Sequence, residues 1–267
     1  MLAWTLLGLG VGAYGTVIGA GGGFILVPVL LVVYPRMTAT QVTAVSLAVV
    51  FVNSVSGSLN YARARRIDYR TGLVLAIATV PGAVLGAIVV GAIPRRLFDL
   101  IMGGALVLVS LFLLARPGGN RPLWLNSRYT VRRVLTGLDD TTYEYRFNLA
   151  LAAAFSVGIG FLSSLLGIGG GIIQVPLLTS FFAFPPHIAT ATAQFALMFT
   201  SATGALTHVV QGVYGPFVRL TAELAVGVLL GAQIGAVLSR RLKGVVIIRL
   251  LAVALGLVGI RLLIVGA

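Results

Sequence analysis

From Leu2 to Tyr34 the chain carries no charged side chain, and comparable uncharged stretches recur along its length. A run of about 18 or more apolar residues marks a candidate transmembrane helix, because lipid leaves the backbone to satisfy its own hydrogen bonds. Composition agrees. The sequence is 58% hydrophobic and 9% charged, whereas soluble domains run at about 45–50% and about 25%. Water is therefore not the main solvent of this chain.

A secretory leader would open with a basic region and a short apolar core, but Leu2 to Tyr34 has no leading cation, so it is expected to stay in the mature protein. Further apolar helices are expected at about Thr38 to Tyr61, Thr71 to Ile93 and Leu97 to Ala115. From Arg116 to Arg146 the chain turns polar and basic, opening with Pro117-Gly118-Gly119-Asn120; this reads as a linker with room for a short surface helix. The plan then repeats, with Phe147 to Phe184, Ile188 to Val210, Phe217 to Leu238 and Val245 to Ile264. The formal charge of +13 does not point to nucleic acid, since the cations sit between apolar stretches, where membrane topology places them. With no cysteine the chain has no disulfide, thiolate metal site or thiol nucleophile. It also lacks an H-E-x-x-H zinc pair and paired intramembrane carboxylates, which argues against an intramembrane enzyme.

The repeat is visible in the letters. Gly19-Ala20-Gly21-Gly22-Gly23-Phe24-Ile25-Leu26-Val27-Pro28 aligns with Gly167-Ile168-Gly169-Gly170-Gly171-Ile172-Ile173-Gln174-Val175-Pro176. The later segments match more loosely, Thr43-Ala44 with Thr190-Ala191, Ser54 to Gly57 with Ser201 to Gly204, and Gly82 to Gly86 with Gly231 to Gly235. The expected domains are an N-terminal transmembrane repeat at 1–115, a basic cytoplasmic linker at 116–146 and a C-terminal transmembrane repeat at 147–267.

Length constrains the first stretch of each half. One helix from Leu2 to Tyr34 would reach about 50 Å at 1.5 Å per residue, against a hydrocarbon core of about 30 Å. The glycine run divides it, and the piece after Gly23 is too short to cross alone. A broken or re-entrant helix pair meets both limits, provided the bare backbone at the glycines is shielded from lipid. If each broken stretch returns to its starting side, 14 of the 19 cations fall on the linker's face; if each crosses, only 12 do. The stronger bias places the linker in the cytoplasm. The expected fold is an all-α polytopic membrane protein of two homologous halves arranged as inverted repeats. Each half has a glycine-broken re-entrant pair plus three transmembrane helices.

Chemistry is expected at the glycine runs. Gly21, Gly22, Gly23 and Gly169, Gly170, Gly171 precede short helices, so unobstructed N–H groups at two positive helix ends can face an anion. The competing reading is close packing, because Gly15, Gly19, Gly23 and Ser163, Gly167, Gly171 follow small-xxx-small spacing. Gly82, Gly86, Gly227, Gly231 and Gly235 read as packing positions. Polar residues inside the apolar stretches need partners or a cavity. Ser46, Asn53, Ser56 and Asn60 share one helical face with Thr43 nearby, and Thr190, Gln194, Ser201 and Thr203 nearly reproduce it. A lone Ser or Thr bonds its own helix readily, whereas Gln174, Gln194 and Asn53 bring more donors and acceptors than one helix satisfies. His208 can donate to an anion or carry a proton. Arg95 with Asp99, and Arg219 with Glu223, read as local ion pairs.

The two glycine runs closing in Val-Pro, with Thr43-Ala44, the serine-rich segment up to Gly57 and Ser201 to His208, resemble the sulfite exporter TauE/SafE family. The resemblance covers nearly the whole chain except the linker. It implies a multi-pass transporter of the bacterial inner membrane that carries sulfite or a small organosulfonate, with the lipid bilayer as its surroundings and no organic cofactor. Export and uptake both occur among such proteins, and a homodimer stays open as an assembly. Substrate binding is expected at the two glycine triplets with Thr43, Ser46, Asn53, Gln174, Thr190, Gln194, Ser201 and His208. A passive anion channel and a non-transporting scaffold are the rival readings.

Overall fold

The computed structural model describes residues 2–115, 128–137, 141–239 and 244–266. Helices dominate, and Ala39–Arg63, Tyr69–Ala92, Leu149–Leu166 and Gly215–Ser239 are long and apolar enough to cross a membrane.

Helix α1 (Leu2–Ile18) stops where Gly19 turns left-handed, and α2 (Gly23–Val33) starts after Gly22, at φ 81°. A residue with a Cβ is strained there, which is why the reversal falls on the glycines. Trp4 near the start of α1 stacks on Tyr34 beyond α2, with ring centroids 5.6 Å apart. The pair is therefore a hairpin that returns to its starting side, as the length argument expects. The second half repeats this. Helix α6 (Leu149–Leu166) breaks at Gly167, and α7 (Gly171–Pro176) continues as a π turn over Leu177–Phe181. Phe147, just before α6, meets Phe182 and Phe184 beyond that turn, at 6.1 and 4.7 Å.

Helix α3 (Ala39–Arg63) opens on a capping box in which Thr38 and Gln41 bond each other's backbone. Helix α4 (Tyr69–Val89) is capped by Asp68, and α5 spans Arg95–Ala115. Both expected ion pairs form, Arg95 with Asp99 at 3.2 Å and Arg219 with Glu223 at 3.0 Å. Arg95 also donates to the carbonyls of Leu31 and Met37, satisfying the last turn of α2 and the loop after it. Helices α8 (Pro186–Val210), α9 (Val218–Ser239) and α10 (Gly244–Gly266) complete the chain.

The halves interlock. Helix α1 lies along α9, and α6 along α4. A Cβ on Gly227, Gly231 or Gly235 would fall 2.1, 2.1 or 2.2 Å from the carbonyl oxygens of Thr5, Leu9 or Ala13. A Cβ on Gly82 or Gly86 would fall 2.0 or 2.2 Å from those of Val157 or Phe161. Lipid supplies no hydrophobic drive between helices, so backbone-to-backbone contact of this kind is what holds them. The packing reading of these five glycines is thus correct. Each half lends the first helix of its hairpin to a helix of the other half.

Between the halves the structure departs from the expected surface helix. Strands β1 (Thr130–Thr136) and β2 (Thr142–Asn148) form an antiparallel hairpin with Thr130 opposite Asn148. Alternation explains it. Arg132, Val134, Glu144 and Arg146 point to solvent, while Tyr145 and Phe147 are buried, a period of two that no helix face uses. The Tyr145 hydroxyl donates to buried Asp68 at 2.9 Å, and Arg133 lies 3.5 Å from the same carboxylate. Burial, reinforced by that negative charge, pushes the Tyr145 hydroxyl well above the ordinary tyrosine range, so it stays a donor. The rest of the expected linker, 116–127 and 138–140, lies outside the described residues.

Candidate functional site

The two hairpin tips meet. A Cβ on Gly23 would lie 2.7 Å from the Gly167 carbonyl oxygen and 3.0 Å from the Ile168 Cα; one on Gly171 would lie 2.2 Å from the Gly19 oxygen and 2.9 Å from the Ala20 Cα. Each tip also rests on the crossing helix of the other half. A Cβ on Gly19 would fall 3.1 Å from the Thr190 Cα, and one on Gly167 would fall 2.8 Å from the Thr43 Cα. The exchange is reciprocal, since Thr43 and Thr190 are matched positions in the repeat. Ser46 ties the arrangement by donating to the Gly167 carbonyl at 2.6 Å.

Neither Gly22 nor Gly170 supplies a side-chain cap to the helix it precedes. The first amides of α2 and α7 thus depend on whatever meets the tips. Val50 and Leu197, themselves matched in the repeat, lie against both Gly21 and Gly169. In this conformation aliphatic side chains cover the tips where the sequence reading expects an anion. The small-xxx-small contacts are real as well, Gly15 lying against Gly22 and Gly171 against Gly19.

Around this contact is a set of deeply buried polar groups. The Thr16 hydroxyl donates to Asn53 Oδ1 at 3.0 Å, and Gln194 Nε2 donates to the Asn53 carbonyl at 3.4 Å. Gln174 sits in the first turn of α7, its backbone N–H donating to the Gly170 carbonyl. Asn53 Nδ2, Gln194 Oε1, Gln174 Nε2 and the hydroxyls of Ser163 and Ser164 have no hydrogen-bond partner among the described residues. All five residues are at most 1% exposed. A buried polar atom left unpaired costs about 1–3 kcal/mol, so each of these five groups needs a partner that the described side chains and backbone do not supply.

Other expected site residues behave differently. The hydroxyls of Thr190 and Ser201 donate to Pro186 and Leu197 of their own helix, at 2.8 and 2.6 Å. Thr43 donates to Thr40 and lies 3.4 Å from His208 Nε2. Ser56 and Asn60, read from sequence as the same face as Asn53, instead grip Gln233 of α9. Sequence reasoning missed Thr16, Ser163, Ser164 and Gln233 as partners; a hydroxyl or amide inside an apolar stretch was the available signal. It also missed Val50 and Leu197, which carry no chemical mark. A cavity of about 460 Å³ lies away from the tips, between α3, α8 and the start of α9, and its lining, including Ala48, Phe51, Leu206 and Ala222, is almost wholly apolar.

Known proteins resemble this chain in sequence. The profile of the family described as Sulfite exporter TauE/SafE matches residues 4–262. The chain is 32% identical to the probable membrane transporter protein YunE of Bacillus subtilis (strain 168), over 97% of this chain and 95% of that protein. It is 22% identical to the probable membrane transporter protein MJ0441 of Methanocaldococcus jannaschii, over 97% of this chain and 93% of that one. A shorter match, 32% identical over 30% of this chain and 17% of the other, is to Sulfite exporter TauE/SafE family protein 3 of Arabidopsis thaliana. No solved structure matches. Interlocked apolar helices, paired glycine-tipped hairpins and a match over nearly the whole length lead to one conclusion: the chain is a multi-pass membrane protein that belongs to the sulfite exporter TauE/SafE family of membrane transporters.

Proposed function

We propose that this protein carries sulfite or a small organosulfonate anion across the bacterial inner membrane by alternating access, in the export direction. The anion is bound at mid-membrane between the two hairpin tips. The observation that carries this reading is the meeting of two uncapped helix starts beside five buried polar groups that lack partners among the described residues. Two helix starts, each worth roughly half a positive charge, favour an anion, and amide and hydroxyl donors complete its hydrogen bonds.

In this reading residues 1–115 and 147–267 are inverted repeats and 116–146 is a cytoplasmic linker. Because each hairpin returns to its starting side, the three helices that follow give each half an odd number of crossings. Arg63, Arg65, Arg66, Arg70, Arg132, Arg133 and Arg146 then share the cytoplasmic face with the β hairpin. The tips, covered by Val50 and Leu197, represent a sealed intermediate, and rocking of the interlocked pairs uncovers the amides to one side at a time. Gln174, Asn53, Gln194, Ser163 and Ser164 serve as ligands. Thr190 and Ser201 act through their backbone and packing.

Counterflow tests this. Proteoliposomes loaded with unlabelled sulfite should transiently accumulate external radiolabelled sulfite above its equilibrium level, because a carrier exchanges substrate through one alternating site. Simple equilibration without overshoot would replace the carrier by the channel, and no protein-dependent flux of sulfite or any sulfonate would remove the reading altogether.

A further inference from the structure

His208 is fully buried within the last turn of α8, and its hydrogen bonds have an unusual polarity. Its Nε2 lies 3.4 Å from the Thr43 hydroxyl oxygen. That hydroxyl gives its own proton to the Thr40 carbonyl at 3.0 Å, so toward the ring it only accepts. On the other side, Nδ1 lies 2.9 Å from Gln211 Oε1, while the Nε2 of that amide is turned to the Ala87 carbonyl at 3.4 Å. Both ring nitrogens thus face acceptors. A neutral imidazole has one N–H and satisfies one of them; an imidazolium has two and satisfies both.

The charged ring suits its hydrogen-bond partners but lacks a counter-charge. No ion pair among the described residues reaches His208. The other titratable group at this end of α8, Tyr214, directs its hydroxyl to the Ala44 carbonyl at 2.8 Å. The remaining neighbours named, from α3, α4 and α8, are neutral. A buried cation with no counter-ion is costly, and an anion close by removes the cost. Position supplies the link, for Thr43 is the residue on which the Gly167 tip rests. Gln211 is exposed, which gives the ring a path to water.

We propose that His208 is a proton-coupling site. As the anion enters between the tips, a hydronium ion entering with it gives a proton to the free ring nitrogen, its O–H bond breaking as the N–H bond forms. The N–H bond breaks to water on the Gln211 side, the face opposite the linker, as the anion leaves there, so one proton accompanies each anion. This inference rests on the transport reading above and adds to it a driving ion. The sign is fixed: the anion favours the protonated ring, so binding is tightest at low pH and weakens as pH rises through the ring's anion-bound pKa.

The test counts protons against anions in proteoliposomes, with a lumenal pH dye and radiolabelled sulfite at one pH. Sulfite carries its own protons, so the readout is the difference between the wild type and His208→Gln. About one proton per sulfite should be missing in His208→Gln, whatever the rate of that variant. Equal ratios in the two proteins would overturn the proposal while leaving the carrier standing, whereas absence of sulfite exchange in the wild type would overturn both. Should His208→Gln fail to insert, His187→Gln leaves His208 as the sole histidine of the 2 in the sequence. Its ring nitrogen NMR signals should then change from neutral to charged on saturation with sulfite at constant pH. Signals that stay neutral would contradict the assignment.

Discussion

Gly171→Ala should lower sulfite counterflow per folded molecule at least a hundredfold, about 2.7 kcal/mol at 1.36 kcal/mol per decade. Unlike its neighbours Gly169 and Gly170, Gly171 does not have a positive φ. The added methyl therefore costs nothing in backbone strain, and its effect is confined to what it meets. What it meets is the Gly19 carbonyl oxygen, 2.2 Å away, so the tips are forced apart and the sealed arrangement cannot form. A carrier that must pass through that arrangement stalls. Flux measured on protein matched for monodispersity in detergent decides the matter. Undiminished counterflow would show that the tips need not touch. A rise in downhill flux without overshoot would mean that they are a plug, as the channel reading requires.

Gly160→Leu should abolish recovery of folded protein, while Gly158→Leu, two residues earlier on α6, should be tolerated. A Cβ on Gly160 would lie 2.1 Å from the Thr79 carbonyl oxygen and 2.9 Å from the Thr79 Cα, whereas one on Gly158 meets nothing within 4 Å. Overpacking at a backbone contact with no flexible side chain to yield belongs to the rare class of substitutions costing about 4 kcal/mol or more. The comparison is internal, because both substitutions add the same apolar bulk to one helix. Size-exclusion profiles and thermal unfolding in detergent measure it. Equal recovery of the two variants would mean that the α4–α6 contact does not hold the halves together.

These two substitutions mark where sequence reading succeeds and where it stops. The glycine runs, the reversal they permit and the lengths of the helices were legible, because each follows from local chemistry: an uncharged stretch too long for one crossing, broken where no Cβ obstructs a left-handed turn. Gly82, Gly86 and Gly227 to Gly235 were legible as packing positions by their four-residue spacing. What they pack against was not. That α1 pairs with α9 and α6 with α4 depends on contacts between segments far apart in sequence, which no local pattern encodes.

The site divides in the same way. Asn53, Gln174 and Gln194 stood out because an amide in an apolar helix exceeds what that helix can satisfy, and an atom of each has no partner among the described residues. Val50 and Leu197 could not stand out, since an aliphatic side chain in an apolar helix looks the same whether it faces lipid or seals a pair of glycine tips. Ser56 and Asn60 shared a face with Asn53, but a helical face extends along the whole helix. Their end of it meets Gln233 of α9. The β hairpin was within reach of sequence and was passed over. Tyr143, Tyr145 and Phe147 alternate with Glu144 and Arg146, a strand period hidden in a segment read by charge alone.

Amide hydrogen exchange in the presence and absence of sulfite tests most directly whether both tips hold the anion. Bound between two helix starts, sulfite should slow exchange in the peptides spanning Gly19 to Ile25 and Gly167 to Ile173 together, with a common concentration dependence that follows counterflow. Protection of one tip alone, or of neither while counterflow still saturates with sulfite, would contradict it.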